Sequence, residues 1–352
     1  MKKYLISSLL CCTLSAAAQT EITEYMPGTN AEGVTYFLPR TALKVDVLVE
    51  IKKYTPGEYV KYAERYLRVK NVATEPTQTC SIQKVNLDVF GKPDLQKVYT
   101  LKLKDKTIAP MVKLNDAGTL LAINTEPVVS TPFAGYTESK SGIVRDPRQH
   151  MTEEILSAGS NAKTAQLCAQ EIYSIRESKN LLNRGQADFM PTDGKQLEIM
   201  IKNLEEQEAA LTQLFLGYTL TETKAYTFYV DPEGDIEKQI LFRFSQRLGV
   251  MDNDDLGGSP VYISVKDLHT APAAVEDPNA KKKVVKLEGI QYNVPSKGKV
   301  EIFTPKQKLI EGEVAFGQFG NVETLSSVLF NKKTDTKVVF FDQTGGIKSI
   351  DE

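Results

Sequence analysis

The hydrophobic period changes twice along this chain, from two residues to 3.6 and back to two. That order restricts the fold to sheet, then helix, then sheet. The helical block is the clearest part. Between Asn161 and Arg184, the residues Ala162, Ala165, Cys168, Ala169, Ile172, Ile175 and Leu182 fall on one helical stripe, with Gly185 placed to end it. Asp193 and Gln196 frame a capping box. It opens a second stripe of Leu197, Met200, Ile201, Leu204, Leu211, Leu214 and Phe215, ended by Gly217. Each helix is about 30 to 35 Å long at roughly 1.5 Å per residue. Similar lengths and a short polar link predict an antiparallel hairpin over residues 161–216, because each stripe needs the other's burial. Ala158-Gly159-Ser160 breaks any earlier helix begun at Thr152.

Alternation governs the flanks. Residues 33–51, GVTYFLPRTALKVDVLVEI, alternate apolar and polar positions on both sides of Pro39-Arg40-Thr41, the pattern of two strands and a turn. Thr55, Pro56 and Glu58 then predict a capped short helix with Tyr59, Tyr62, Ala63 and Tyr66 on one face. Strand-like runs follow at Ser81 to Phe90, Lys97 to Leu103 and Leu120 to Ile123. Residues 131–150 hold Gly and Pro clusters without sustained period and read as a linker. After Gly217, strands are expected within 225–230, 239–245, 261–265, 284–294, 300–303, 312–319 and 337–341. The predicted fold class is α+β: two mainly antiparallel β units with a long antiparallel helical hairpin between them. The divisions are a signal peptide at 1–18, a β unit with one short helix at 19–130, the linker, the hairpin at 151–217 and a β unit at 218–352. One internal likeness spans the two β units. GVTYFLP at 33–39 and GIQYNVP at 289–295 share Gly, Tyr and Pro, and both duplication and shared hairpin chemistry account for it.

Lys2 and Lys3 precede the apolar run Leu5 to Leu14, and Ala16-Ala17-Ala18 offers a cleavage site before Gln19, the pattern of an export signal. A membrane-spanning helix needs roughly 20 apolar residues, so no transmembrane segment is expected. Lipid attachment at Cys11 or Cys12 is disfavoured, because neither follows a small residue and both come too early in the apolar run. Beyond the signal only Cys80 and Cys168 remain. An oxidising compartment permits one disulfide, while a strand-like run around Cys80 and the helical stripe at Cys168 suit two buried thiols; spacing leaves both open.

Balanced charge, with 43 Lys and Arg against 45 Asp and Glu, argues against a nucleic-acid partner. The Lys281-Lys282-Lys283 run reads as a strand entrance. After the signal the chain has two histidines, His150 and His269, both in Pro-containing loops. There is no His-Glu-x-x-His, nucleophile elbow, P-loop or dinucleotide fingerprint, so no cofactor, no metal and no catalytic residue is assigned. Asp252, Asp254 and Gly257 begin like a calcium loop, but Leu256 and Ile263 occupy its fifth and twelfth places. Glu208 stands out, because the stripe 197, 201, 204, 208, 211, 215 places a carboxylate among Leu, Ile and Phe. Burial would demand a partner. Arg176 on the facing helix can serve Glu208 or Glu205 as a structural pair; the alternative is a general acid or base.

The segments GVTYFLPRTALKVDV, YTPGEYVKYAERYL, IRESKNLL with PTDGKQLEIMIKNLEEQEAALTQLFLG, and the late AFGQFG together resemble an uncharacterised family of exported Bacteroidetes proteins, domain-of-unknown-function family 4831. The resemblance covers nearly the whole chain after the signal. It implies a Gram-negative protein that is periplasmic or associated with the outer envelope, and it carries no reaction or functional residue. The expected role is a non-enzymatic binding or assembly module for an envelope protein or glycan. The alternative is a carboxylate-dependent hydrolase of envelope glycans or peptides. A binding module should expose a flat apolar or Tyr-rich patch; a hydrolase should show a cleft with converging carboxylates.

Overall fold

The computed structural model describes residues 21–24, 33–102, 111–128, 130–273, 289–330 and 336–351. The export signal, Cys11, Cys12, Leu103 and the Lys281–Lys283 run lie outside the described residues. In chain order the first strands are β1 (Glu21–Glu24), β2 (Val34–Thr55), β3 (Thr77–Lys102), β4 (Val112–Leu114), β5 (Leu120–Ile123) and β6 (Ser139–Ser141). The helices follow as α1 (Glu153–Leu156), α2 (Asn161–Arg184) and α3 (Gly194–Leu216). The chain continues with β7 (Tyr218–Val230), β8 (Ile236–Ser245), β9 (Gly249–Met251), β10 (Ser259–Asp267), β11 (Gly289–Phe303), β12 (Lys308–Ser326), β13 (Lys337–Phe340) and β14 (Ile347–Asp351).

These strands form three antiparallel sheets, ordered β1-β3-β2-β7-β6, β12-β11-β10-β8-β9 and β14-β13-β5-β4. Helices and antiparallel sheets are both present, as the alternating periods require. The arrangement of the sheets differs from a β unit on either side of the helices. Strand β7 follows the helices yet pairs with β2 over thirteen residues, and β13 pairs with β5. The two flanks therefore share sheets, and β contributions dominate the fold.

The alternation in β2 explains its place. Leu43, Val45, Val47, Val49 and Ile51 point inward and pack against Val261, Ile263, Val265, Val300 and Ile302 of the second sheet. Full burial of such a side chain stabilises by about 1.5–3 kcal/mol. A second β core gathers Tyr36, Leu38, Leu101, Ile290, Ile123, Val338 and Phe340, so β2 and β11 each serve two cores along their length.

Pro39-Arg40-Thr41 is not a turn between two strands. The strand continues through it, because Pro39 falls at a bulge where pairing steps from Phe37↔Val98 to Pro39↔Pro93. A proline lacking its N–H is tolerated where the ladder is already interrupted. The run 81–90 and the described part of the run 97–103, through Lys102, belong, for the same reason, to the one strand β3. Strand β11 repeats the device: pairing steps from Val294↔Asn321 to Ser296↔Phe316 around Pro295. In both hairpins the partner advances five residues while the proline strand advances two. The GVTYFLP and GIQYNVP likeness marks a shared structural element, with Gly33 and Gly289 at φ 152° and 149°. The two bends also touch, since the Tyr36 hydroxyl accepts the Gln291 N–H at 2.9 Å and Asn293 Nδ2 donates to the Pro39 carbonyl at 2.8 Å.

Helices α2 and α3 start and stop where capping chemistry places them. Ser160 and Asp193 accept N-terminal amides, and Gly185 closes α2 at φ 70°. They pack antiparallel, as the facing pairs Arg176–Glu208 and Lys179–Glu205 show. Their core takes in Tyr59, Ala63 and Leu67 from the connection between β2 and β3. That connection is not the expected capped α-helix. Thr55 still belongs to β2, and a 3₁₀ turn at Val60–Tyr62 runs into a π turn at Ala63–Leu67. The Tyr59 N–H donates to the Leu214 carbonyl at 2.7 Å, which draws the chain onto the end of α3 and replaces the local cap.

Candidate functional site

Glu208 lies at the middle of the α2–α3 interface. Its Oε1 is 2.6 Å from Arg176 Nε and its Oε2 is 3.0 Å from Lys179 Nζ. Lys179 also reaches Glu205 Oε1 at 3.6 Å. The carboxylate is half-buried rather than enclosed, with its side chain 19% exposed. Burial opposes its charge, but hydrogen bonds from Arg176 and Lys179 and their positive charges outweigh that and hold it below the usual carboxylate range. A proton donor at neutral pH needs the opposite shift. Lys179 sits one turn beyond Arg176 on the same face of α2, an i, i+3 spacing that is the sequence signal for this second cation.

This shift has a pH consequence. A carboxylate whose folded pKa is depressed stabilises the fold above its unfolded pKa of about 4.3 and loses that contribution as pH falls through the folded value. Glu208→Ala should cost about 1–2 kcal/mol at pH 7, and Glu208→Gln less. In urea unfolding, the gap between wild type and Glu208→Gln should narrow from pH 5 downward. A gap constant to the acid limit would show that the ionised form contributes nothing.

Ser296, Asp267 and His269 supply the residue types of a hydrolytic triad in the wrong order. Ser296 Oγ donates to Asp267 Oδ1 at 2.7 Å, and His269 Nδ1 lies 3.0 Å from Asp267 Oδ2. Asp267 stands between the other two, so the imidazole cannot take the serine proton. Ser296 is fully buried and also accepts the Thr270 N–H at 3.0 Å, which pins the turn after β10 onto β11. His150 ends a 3₁₀ turn at Pro147–His150.

Cys80 lies in the core between the first two sheets, Cys168 lies in the helical core, and both are free. Burial pushes the Cys168 thiol up to about 11 and raises Cys80 as well, which keeps both protonated. In the acidic turn after β9, Arg243 donates to the carbonyls of Asn253 and Gly258 at 2.7 and 3.1 Å, and Asp255 accepts the Gly257 N–H. The turn is thus closed by an arginine. Among the described residues no cluster of three His, Cys, Asp or Glu is placed to hold a metal.

The outer face of the first sheet gathers a different set. Odd-numbered residues of β2 enter the core, so Lys44 and Asp46 face outward beside Asp88 of β3 and Thr227 and Tyr229 of β7. Asp46 is 2% exposed, accepts from Thr227 Oγ1 at 2.6 Å, and has Lys44 Nζ 3.2 Å from its other oxygen. The segment 130–138 crosses this face. Lys44 Nζ donates to the Phe133 carbonyl at 3.2 Å and the Phe133 N–H donates to Asp88 Oδ2 at 2.8 Å, so one cross-strand pair grips both backbone groups of one residue. The expected linker is therefore pinned to the sheet, and its continuation forms β6 against β7.

Beyond that segment Tyr229 is 64% exposed, with the Phe90 ring 5.8 Å away at 85°. Lys92 Nζ sits 5.8 Å from the Phe90 centroid. Asp231 Oδ2 receives Arg40 at 2.7 Å and Lys92 at 3.3 Å, and Arg40 also reaches Glu233 at 3.4 Å. Sequence reasoning missed this patch. The available signal was phase: Tyr226 and Phe228 pack inward, which leaves Tyr229 as an aromatic on the polar phase of its strand.

Three antiparallel sheets around two β cores, with an inserted helical pair, define a mainly β protein of mixed composition. The chain belongs to the family described as domain of unknown function (DUF4831), whose model matches residues 32–348. No curated protein and no solved structure matches it. Among the described residues no helix is long and apolar enough to cross a membrane, which leaves strand-based crossing unaddressed.

Proposed function

We infer that this protein is an exported cell-envelope protein of a Gram-negative bacterium that acts as a non-enzymatic binding or assembly module. The N-terminal pattern of Lys2, Lys3, an apolar run and Ala16-Ala17-Ala18 supports export. The observation that carries the binding role is the exposed Tyr229 and its neighbour Phe90, set on paired strands amid charged side chains. A ring held on a rigid sheet and turned to solvent is what a contact surface presents. Glu208, the half-buried carboxylate between the helices, is held ionised by two cations, which suits packing and not acid catalysis. The test is incubation of purified protein with isolated envelopes, followed for pelleting and for soluble fragments. Pelleting without fragments is expected; fragments would establish the hydrolase alternative.

A further inference from the structure

We propose that Tyr229, Phe90, Arg40, Lys92, Asp231 and Glu233 form a platform for a neutral glycan. This rests on the binding-module reading and names its ligand class. A pyranose offers two chemically distinct regions, a face of C–H groups and a rim of hydroxyls. The first stacks on an electron-rich aromatic face, and the second needs donors and acceptors side by side. Tyr229 provides the ring at 64% exposure, and its edge-to-face contact with Phe90 at 5.8 Å fixes the ring's tilt. The rim groups lie next to it along β2, β3 and the end of β7. Arg40 and Lys92 donate and Asp231 and Glu233 accept, all within one network whose contacts run from 2.7 to 3.4 Å.

Charge selects among ligand classes. With Lys44, Asp46 and Asp88 beside it on the same face, the patch carries three cations against four carboxylates, a near-balance that repels a polyanion and gives a basic peptide only a weak field, while a hydroxyl-bearing neutral ligand meets both donors and acceptors. A protein partner is disfavoured because a stable interface covers about 800 Å² per side around an apolar centre, and here charged groups border the two rings directly. Placement on paired strands keeps the rings ordered before binding, which lowers the entropy lost on association.

Affinity electrophoresis of the purified protein in gels containing glucan, mannan, xylan or an anionic polygalacturonate tests this. Retardation by at least one neutral polysaccharide and none by polygalacturonate is expected. Tyr229→Ala should weaken retardation about tenfold, equivalent to about 1.4 kcal/mol, and Tyr229→Phe should retain most of it. Tyr229 is exposed, so thermal unfolding of both variants should match wild type and separate binding loss from misfolding. No retardation in any neutral gel, retardation only by polygalacturonate, or equal retardation of Tyr229→Ala overturns the proposal. Envelope pelleting distinguishes the two levels. Wild type that pellets and Tyr229→Ala that does not, with no gel retardation of either, remove the glycan platform and leave a Tyr229 binding surface for a protein partner; equal pelleting of the two, or failure of wild type to pellet at all, removes both.

Discussion

Truncation after Thr336 should abolish cooperative folding. The lost segment holds β13, β14 and the loop 342–346, which lies where the two proline bends meet. Val338 and Phe340 are 0% and 2% exposed in the second β core, alongside Tyr36, Leu38 and Ile290. The loop's carbonyls are acceptors for buried donors: Thr41 Oγ1 to Gln343 at 3.0 Å, Asn293 Nδ2 to Thr344 at 2.7 Å, and the Asn293 N–H to Gly345 at 3.2 Å. Losing a buried Phe costs about 3–5 kcal/mol and each stranded polar group about 1–3 kcal/mol. Together these reach the range of about 5–15 kcal/mol that stabilises a whole domain. Urea unfolding followed by far-ultraviolet circular dichroism should show no sigmoidal transition. A transition near the full-length midpoint would mean that the bends hold without the loop.

Gly320→Ala should destabilise the protein by about 3 kcal/mol, while Gly312→Ala on the same strand stays within about 0.5 kcal/mol. Gly320 lies in the β12 bulge opposite Pro295, where an added Cβ would collide with the Val294 carbonyl. That oxygen belongs to the backbone of a paired strand, so it cannot swing aside as a side chain would. Gly312 has open space at the same position. Thermal or urea unfolding of the two variants decides the matter. Equal losses would place the cost in strand propensity and not in the bulge.

The sequence displays both the C-terminal segment and the β12 bulge without explaining them. Within AFGQFG, Gly317 meets the Thr344 and Pro39 carbonyls, and Gln318 pairs its side-chain amide with both the N–H and the C=O of Thr41. Gln318 thereby continues the pairing of β2 beyond the end of β7. GVTYFLPRT and AFGQFG, two of the segments that carry the family resemblance, converge on this junction.

The helices were legible because their stripes are long and their caps local. Ala165, Cys168, Ile172 and Ile175 are buried as the period requires. Pairing between distant strands has no such local trace. Nothing in Tyr218–Val230 announces that it joins β2 and not a sheet of its own, and edge strands such as β6 and β9 have three residues each, too few to show a period. Proline misled the reading of β2 because local chemistry favours a turn, whereas the bulge that accepts Pro39 depends on β3. Glu208 was found by its break in an apolar stripe, but the distal part of that stripe is itself only half-buried, so the residue keeps contact with water. For the outer face of the first sheet, the phase of β7 had to be known before Tyr229 could be read as exposed.

Adding purified protein to isolated envelopes, and measuring the pelleted fraction and the soluble sugar and peptide released over time, separates an envelope-binding surface without turnover from a hydrolase. Saturable pelleting, release indistinguishable from protein-free envelopes, and loss of pelleting in Tyr229→Ala are expected. Release that rises in proportion to protein and time would contradict binding without turnover.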